Sequence, residues 1–568
     1  MIKGAEALLR SLLAEGVDTV FGYPGGGILP VYDCLYDYTD RLRHILVRHE
    51  QGAIHAAQGY ARISNRPGVV IVTSGPGAAN VITGLCDAMM DSTPLVVISG
   101  QVGTKFLGSD AFQEADVVGI TQPITKWAIQ LRRPEDIPAA VAKAFYIARS
   151  GRPGPVVLDI AKDAQVGELE WHYEPLHFIR SYNPRPQIPP SDIVNAANLI
   201  NAAARPLILA GHGVMISGAE RELLQLAEKA DIPVATTLLG LSTIPTGHRL
   251  NKGMLGMHGN IGPNYMTNRA DVIIAIGMRF DDRVTGDVAA YAPQARVIHI
   301  DIDESEFNRN ISATATIHGD ARDALLSLVP LVDEARHTDW IAGFDICNSV
   351  EKEKVKAREL CHDGLLTMGE VADCVSRATA DRAVLVTDVG QNQMMTSRYF
   401  RFTEPRSIIT SGGLGTMGFG LPAAIGAKVA APDRTVCYFA GDGGFQMTIQ
   451  ELGTIMEYHV PVKMIVLNNN FLGNVRQWQN MFFHRRFSQT PMLNPDFKAI
   501  AMAYGIPAED VATREDLPGA VARMLAHDGA YLLNVRIDET DMVFPMTPPG
   551  GAVDTILLDK DTEFKYPE

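Results

Sequence analysis

The chain has 568 residues, 46% of them hydrophobic, with a formal net charge of -15 and a pI near 5.5. That length is too great for one hydrophobic core and points to three or four domains. An acidic balance without a basic stripe interleaved with aromatics argues against nucleic acid as a partner.

The N-terminus enters a helical pattern at once, "AEALLRSLLAEG" (5–16), with neither a basic-then-apolar signal nor an Arg/Ser-rich transit segment. No apolar run approaches the roughly 20 residues that span a bilayer. The six cysteines (34, 86, 347, 361, 374, 437) have no CxxC pair and no metal-finger spacing, and read as free thiols of a reducing compartment. A cytoplasmic protein off the membrane is the expectation.

Strands are predicted at "VDTVFG", "RHILVR", "GVVIVT", "PLVVIS" and "GPVVLDI" in the first third. In the middle they fall at "RPLILAG", "DVIIAIG" and "ARVIHID", and in the last third at "SIIT", "AVLVTDVG", "TVCYFAGDG", "VKMIVLNN" and "YLLNVRI". Continuous apolar runs alternating with helical stretches predict parallel sheets covered on both faces. The fold class is therefore α/β, three consecutive doubly wound parallel-sheet domains. "NPRPQIPPS" (183–191) disfavours helix and sheet alike, and the charged helical stretch "DEARHTDW…EKEKVKAREL" separates the middle unit from the last. Domains are expected at 1–185, 190–345 and 360–540, with a tail at 541–568.

In parallel sheets, ligands sit beyond the carboxyl ends of the strands. Glycine-rich segments stand there: "FGYPGGG", "TSGPGAAN", "LAGHGV", "TSGGLGTMGFG" and "FAGDGG". Any one of them can be a tight strand-to-helix turn; so many suggest several phosphate-bearing ligands. Gly413-Leu414-Gly415-Thr416-Met417-Gly418 fits the dinucleotide pattern GxGxxG, with Asp442 ending the next strand. Against that reading, Pro422 is expected to disturb the helix a pyrophosphate needs. A ribose site also has no use for Gly443-Gly444 and the cluster Asn468, Asn469 and Asn470. A carboxylate and an amide oxygen at the ends of adjacent strands suit Mg²⁺, completed by phosphate oxygens and water. Asp442 and Asn469 are 27 positions apart (442 to 469), room for a loop, a crossover helix and a return strand.

GDG followed by an asparagine at this spacing resembles the thiamine-diphosphate motif. With it, "FGYPGGGILPVYD", "RHEQGAIHAAQGYAR", "TSGPGAAN", "GSDAFQEADV", "SGRPGPVVLDIAKD", "GMLGMHG", "RFDDRVTG", "TSGGLGTMGFGLPAAIGA" and "NVRQWQ" are similar, over nearly the whole chain, to the catalytic subunits of acetohydroxyacid (acetolactate) synthases. The resemblance implies thiamine diphosphate between the first and last domains, with Mg²⁺ on Asp442, Asn469 and the carbonyl of Phe471. Gly443 and Gly444 belong to the same motif, and Gln391 is expected at the diphosphate. Asn392 and Met395 stand where the family has His and Trp.

The same resemblance gives Glu50 a hydrogen bond to the aminopyrimidine N1′, which favours the tautomer whose N4′ takes the thiazolium C2 proton. It gives Gly415 the carbonyl that receives N4′–H, and Met417 the prop that bends the cofactor. Without it, Glu50 is a first-turn helix acid and Met417 ordinary core. Phe112, Gln113 and Lys162 are implied to line the site from the first domain, Arg283 to take the carboxylate of the second ketoacid, and Trp478 to contact its alkyl group. Otherwise Arg283 reads as a surface ion pair with Asp281 or Asp282.

FAD, structural in this family, is implied in the middle domain on Arg152, Gly211, Gly213, Thr237, Leu238, His258, Gly277, Arg279, Asp301 and Asp320. His212 replaces a glycine there and Met278 a smaller residue, and either could crowd the flavin. The implied reaction decarboxylates pyruvate and transfers the two-carbon unit to pyruvate or 2-ketobutyrate, the first common step of branched-chain amino acid synthesis. A homodimer or homotetramer with shared sites, and a separate small regulatory subunit, are the implied partners. Another enzyme of the same cofactor, such as a pyruvate oxidase or decarboxylase, is the nearest rival, and a non-catalytic flavin-binding protein the rival from another class.

Overall fold

A computed structural model describes residues 1–360 and 364–567; Cys361 lies outside them. Three six-stranded sheets follow one another along the chain. In the first, the strand order is Arg43–Leu46, Thr19–Gly22, Gly68–Val72, Leu95–Gln101, Pro155–Ala161, Trp127–Leu131. In the second it is Asn251–Met254, Val234–Thr236, Pro206–Ala210, Val272–Ile276, Arg296–Asp301, Ala315–His318. In the third it is Ile408–Ile409, Val384–Thr387, Val436–Gly441, Lys463–Asn468, Tyr531–Arg536, Ala508–Val511. Every pairing in the three sheets is parallel.

The apolar runs are explained by burial on both faces. Val69 and Ile71 point into one core and Val70 and Val72 into the other. Cys437 and Phe439 are separated in the same way from Val436, Tyr438 and Ala440. The strands that the apolar pattern does not reveal are mostly edges: Trp127–Leu131, Asn251–Met254, Ala315–His318 and Ala508–Val511. An edge strand is covered less completely and needs no unbroken apolar run. Val234–Thr236 is interior but three residues long.

Pro422 does not disturb its helix. Gly420–Ala430 forms with proline in its first turn, where no intrahelical N–H is lost. This helix packs on Glu50–Ser64, so the first and last domains meet along two helices. Glycines allow the close approach: a Cβ on Gly59 would lie 2.0 Å from the Ala423 carbonyl oxygen, and one on Gly426 1.8 Å from that of Ala56.

The charged stretch is helical over Thr338–Glu351 but docks on the middle sheet instead of only spacing two domains. Trp340 Nε1 donates to Pro206 O at 2.7 Å, and Trp340, Phe344 and Cys347 share a core with Leu207 and Ile261. The tail returns to the same place. Phe544, Met546, Val553, Ile556 and Phe564 join that core, and Thr547 N donates to Met257 O at 2.7 Å.

Candidate active site

Asp442 ends the strand Val436–Gly441 and is almost fully buried. Burial pushes its carboxyl above the usual carboxylate range. Oδ2 accepts from Asn470 N and from Asn494 Nδ2, both at 2.7 Å, and Oδ1 from Gly443 N at 2.9 Å. Asn469, at the end of the neighbouring strand, accepts Phe471 N on Oδ1 at 3.1 Å. Among the described residues no three His, Cys, Asp or Glu side chains converge on a metal site. The donors present, one carboxylate and one amide with a turn carbonyl at Phe471, fit a hard cation only if a ligand's oxygens complete the shell.

Two helices of nine and ten residues, Gln391–Tyr399 and Gly473–Phe482, begin here, neither with a side-chain cap. A Cβ built on Gly390, where φ is +117°, would lie 4.0 Å from Asn474 Cβ and meet no atom nearer than 3.8 Å. Adjacent uncapped N-termini and open space between them suit a diphosphate. Gln391 spends its amide N–H groups on Gln477 Oε1 and Asp541 O, both at 3.0 Å, which leaves its buried Oε1 unpartnered. Asn392 donates to Val389 O, with its Oδ1 likewise unpartnered. Gly444 packs where a Cβ would fall 2.3 Å from Asp388 Oδ1, and Gly443 faces Leu472 and the Met417 methyl.

The loop 410–420 carries Gly415, at φ +72°, and Met417. Gly415 lines a cavity of 850 Å³ that runs from the middle domain to this loop. Arg152, Gly213, Thr237, Leu238, His258, Gly277, Arg279, Asp301 and Asp320 line it, as do Arg283 and Trp478. Gly211 does not; a Cβ there would strike Gly277 O at 2.2 Å, so its part is to let two strand ends approach. His212 and Met278 face the cavity without closing it. Burial holds His212 down to about 4 and His258 to about 3, so both are neutral. His258 Nδ1 is buried and unpartnered. A roomy cavity with an unsatisfied imidazole nitrogen fits a large heteroatom-rich ligand such as FAD. Thr237 and Asp320 also cap helices, accepting Gly240 N and the pair Arg322 N and Asp323 N. Arg283 makes the ion pair of the alternative reading, with Asp282 at 3.3 Å, and also lines the cavity.

The first domain gathers a separate group. Glu50 opens the helix Glu50–Ser64 and accepts from Asn80 Nδ2 at 2.9 Å. Gln113 has φ +59° and lies against Gly75, where a Cβ would come within 2.8 Å of Gln113 O. Phe112 is 89% exposed. Lys162 begins the short helix Lys162–Val166, and its neighbour Asp163 accepts Thr104 N at 3.1 Å. None of Glu50, Gln113 and Lys162 lines the cavity that holds Arg283, Gly415 and Trp478.

Asn494 and Asn474 escape the sequence reading. Asn494 stands 52 positions from the Asp442 it bonds (442 to 494), so no local spacing reveals it. Asn474, with a buried unpartnered Oδ1, sits inside "NVRQWQ", a motif read only for its tryptophan.

Three stretches match the thiamine pyrophosphate enzyme family: 2–120 its N-terminal TPP binding domain, 193–328 its central domain and 388–535 its C-terminal TPP binding domain. Fold and site thus define a thiamine pyrophosphate enzyme. The chain is 44% identical to the probable acetolactate synthase large subunit of Methanocaldococcus jannaschii, over 98% of this chain and 95% of that protein. It is 42% identical to the acetolactate synthase isozyme 3 large subunit of Escherichia coli, over 99% of each. The acetolactate synthase large subunit of Haemophilus influenzae is 41% identical over the same shares. The chain belongs to the acetolactate synthase large-subunit family. Among the described residues, no helix is long and apolar enough to cross a membrane.

Proposed function

We propose that this chain removes CO₂ from pyruvate and joins the remaining two-carbon unit to the keto carbon of a second 2-ketoacid, giving 2-acetolactate or 2-aceto-2-hydroxybutyrate. The carrying observation is that Arg283 and Trp478 line one cavity with Gly415, so a carboxylate receptor and an apolar wall face the cofactor loop together. Thiamine diphosphate, when bound, supplies the electron sink that makes loss of CO₂ from a 2-ketoacid feasible.

The protein's residues bind and orient. Asp442, Asn469 and the Phe471 carbonyl would hold Mg²⁺, and the N-termini at Gln391 and Gly473 the diphosphate. Gly415 would offer a carbonyl to the pyrimidine amino group and Met417 an apolar prop. Glu50 would hold a proton at its carboxyl group for the pyrimidine ring. Arg283 grips the acceptor's carboxylate through its planar fork, and Trp478 bounds the room for its alkyl group. FAD is assigned to the 850 Å³ cavity.

The separation of Glu50, Gln113 and Lys162 from that cavity supports a homodimer, or a homotetramer built as a dimer of dimers. In it the first domain of one copy completes the site of the other, and exposed Phe112 is covered. The name "large subunit" borne by the relatives supports a separate small subunit as a further partner. Five described cysteines without disulfides suit the cytoplasm.

Incubation with pyruvate, Mg²⁺, thiamine diphosphate and FAD should yield acetolactate. Acetate, acetaldehyde or no product would each refute the assignment, and sedimentation as a monomer under assay conditions would refute the shared site.

A further inference from the structure

The loop that carries Gly415 and Met417 has five glycines between positions 410 and 420. So glycine-rich a segment loses much entropy when ordered and needs external restraint to keep one shape. The restraint comes from the first domain. Asp91 accepts Gly412 N on Oδ2 at 2.9 Å and Gly413 N on Oδ1 at 2.7 Å. Asp87 Oδ1 accepts the hydroxyls of Ser411 and Thr416, and Ser411 Oγ in turn accepts Thr416 N at 2.8 Å. Arg62 Nη2 donates to Asp91 at 2.9 Å and lies 3.9 Å from Asp87. The three side chains are 5%, 0% and 0% exposed for Arg62, Asp87 and Asp91.

Two carboxylates and one guanidinium in a dry interface are a costly way to join domains, since apolar residues of similar volume do so without desolvating charge. The hydrogen bonds explain their use: each carboxylate is aimed at groups of this one loop. Asp91 also has a second tie. Its main-chain carbonyl oxygen accepts from His212 Nδ1 at 3.1 Å, and His212 lines the middle-domain cavity. Nδ1 must carry the proton in that bond, so the neutral ring leaves Nε2 as an acceptor with no hydrogen-bond partner among the described residues. One residue therefore fixes the cofactor loop through its side chain and the cavity wall through its backbone.

We propose that Asp91, backed by Asp87 and Arg62, is the positioning residue for the Gly415–Met417 loop in the acetolactate reaction, and that it joins this loop mechanically to the ligand cavity of the middle domain. The proposal rests on the site reading given above.

Asp91→Asn preserves shape but turns an amide N–H₂ toward one glycine N–H. Its dissociation constant for thiamine diphosphate, measured by titration with Mg²⁺ present, should rise at least 10-fold. kcat should fall at least 10-fold, the KM for pyruvate should stay within about 3-fold, and the melting temperature of the cofactor-free protein within about 3 °C. Thr416→Val, which removes one hydroxyl without altering volume, should shift the same two quantities in the same direction by about 3-fold, and serves if Asp91→Asn folds poorly. FAD affinity should fall in Asp91→Asn and not in Thr416→Val. Wild-type cofactor affinity and kcat in Thr416→Val, or losses in both variants that only track melting temperature, would overturn the proposal. Failure of the underlying reading would appear in the wild type, as absence of acetolactate, whatever the variants do.

Discussion

Asn80 Nδ2 donates to Glu50 Oε2 at 2.9 Å, and Glu50 Oε1 lies 3.3 Å from the place where a Cβ on Gly77 would sit. The carboxyl group is thus anchored by one oxygen and presents the other over a bare glycine. Glu50→Gln can still accept the Asn80 bond with its amide oxygen, so the fold should survive with an unchanged melting temperature. The exposed position then carries an N–H₂, a donor that cannot shuttle a proton. Acetolactate formation should fall at least 100-fold while pyruvate still binds. Activity within a few-fold of wild type would remove Glu50 from its assigned role.

Trp478 stacks edge-on with Phe482, ring centroids 5.5 Å apart, and lines the cavity beside Arg283. The two acceptors, pyruvate and 2-ketobutyrate, differ by one methylene, whose burial is worth about 0.8 kcal/mol and about 1–3 kcal/mol in a fitted pocket. Product from 2-ketobutyrate should therefore dominate by about 10-fold or more at equal acceptor concentrations. Trp478→Leu should erode that ratio and largely spare acetolactate formed from pyruvate alone. Competition assays that show a wild type indifferent to the two acceptors, or a leucine variant with undiminished preference, would show that Trp478 is not the selector.

Burial pushes the Asp301 carboxyl from 3.8 up to about 7 in the ligand-free protein, although Asp303 N–H and Arg152 pull it down. A carboxyl raised on folding stabilises the protein fully below its unfolded value and loses that contribution as pH climbs through the folded one. Asp301 should thus make the protein less stable between about pH 4 and pH 7, by up to about 4 kcal/mol. Asp301→Asn keeps the acceptor that Asp303 N uses at 2.9 Å and cannot ionise. Melting curves of the flavin-free proteins should show the variant above wild type at pH 8, with the gap narrowing toward pH 5. A gap independent of pH would refute the assignment.

Gly103 has φ −62° and ψ 149°, values proline adopts freely, and a Cβ there meets nothing nearer than Phe106 Cδ2 at 4.0 Å. The resemblance to acetohydroxyacid synthases implies proline at this position and sulfonylurea packing there. Gly103→Pro should fold, gain about 0.4–1 kcal/mol from a stiffer unfolded chain, and become more sensitive to sulfonylureas. A folded, active variant with unchanged inhibition would sever Gly103 from that binding surface.

The interior strands and the strand-end glycines were legible because burial on both faces writes itself as apolar runs such as Val69–Val72. Edge strands such as Ala508–Val511, "AEDV", leave no such record. The Asp442–Asn469 pair was legible because one crossover fixes its spacing. Asp87, Asp91 and Arg62 were not: each looks like an ordinary helix residue until a loop more than 300 positions away is folded against it. The Pro422 expectation failed because the rule depends on which turn of the helix the proline occupies.

The tail's return to the middle sheet has a consequence for biogenesis. A ribosome releases Leu255, Ile261 and Phe344 long before Phe544, Met546 and Phe564, which close the same core. The wall of the 850 Å³ cavity draws on that core through Leu255 and Met257. During synthesis this core must therefore wait, covered by the helix Thr338–Glu351 but without its tail residues, while the whole cofactor-loop domain is made. This protein should lean on chaperones at that stage, and flavin should be captured only after translation has ended.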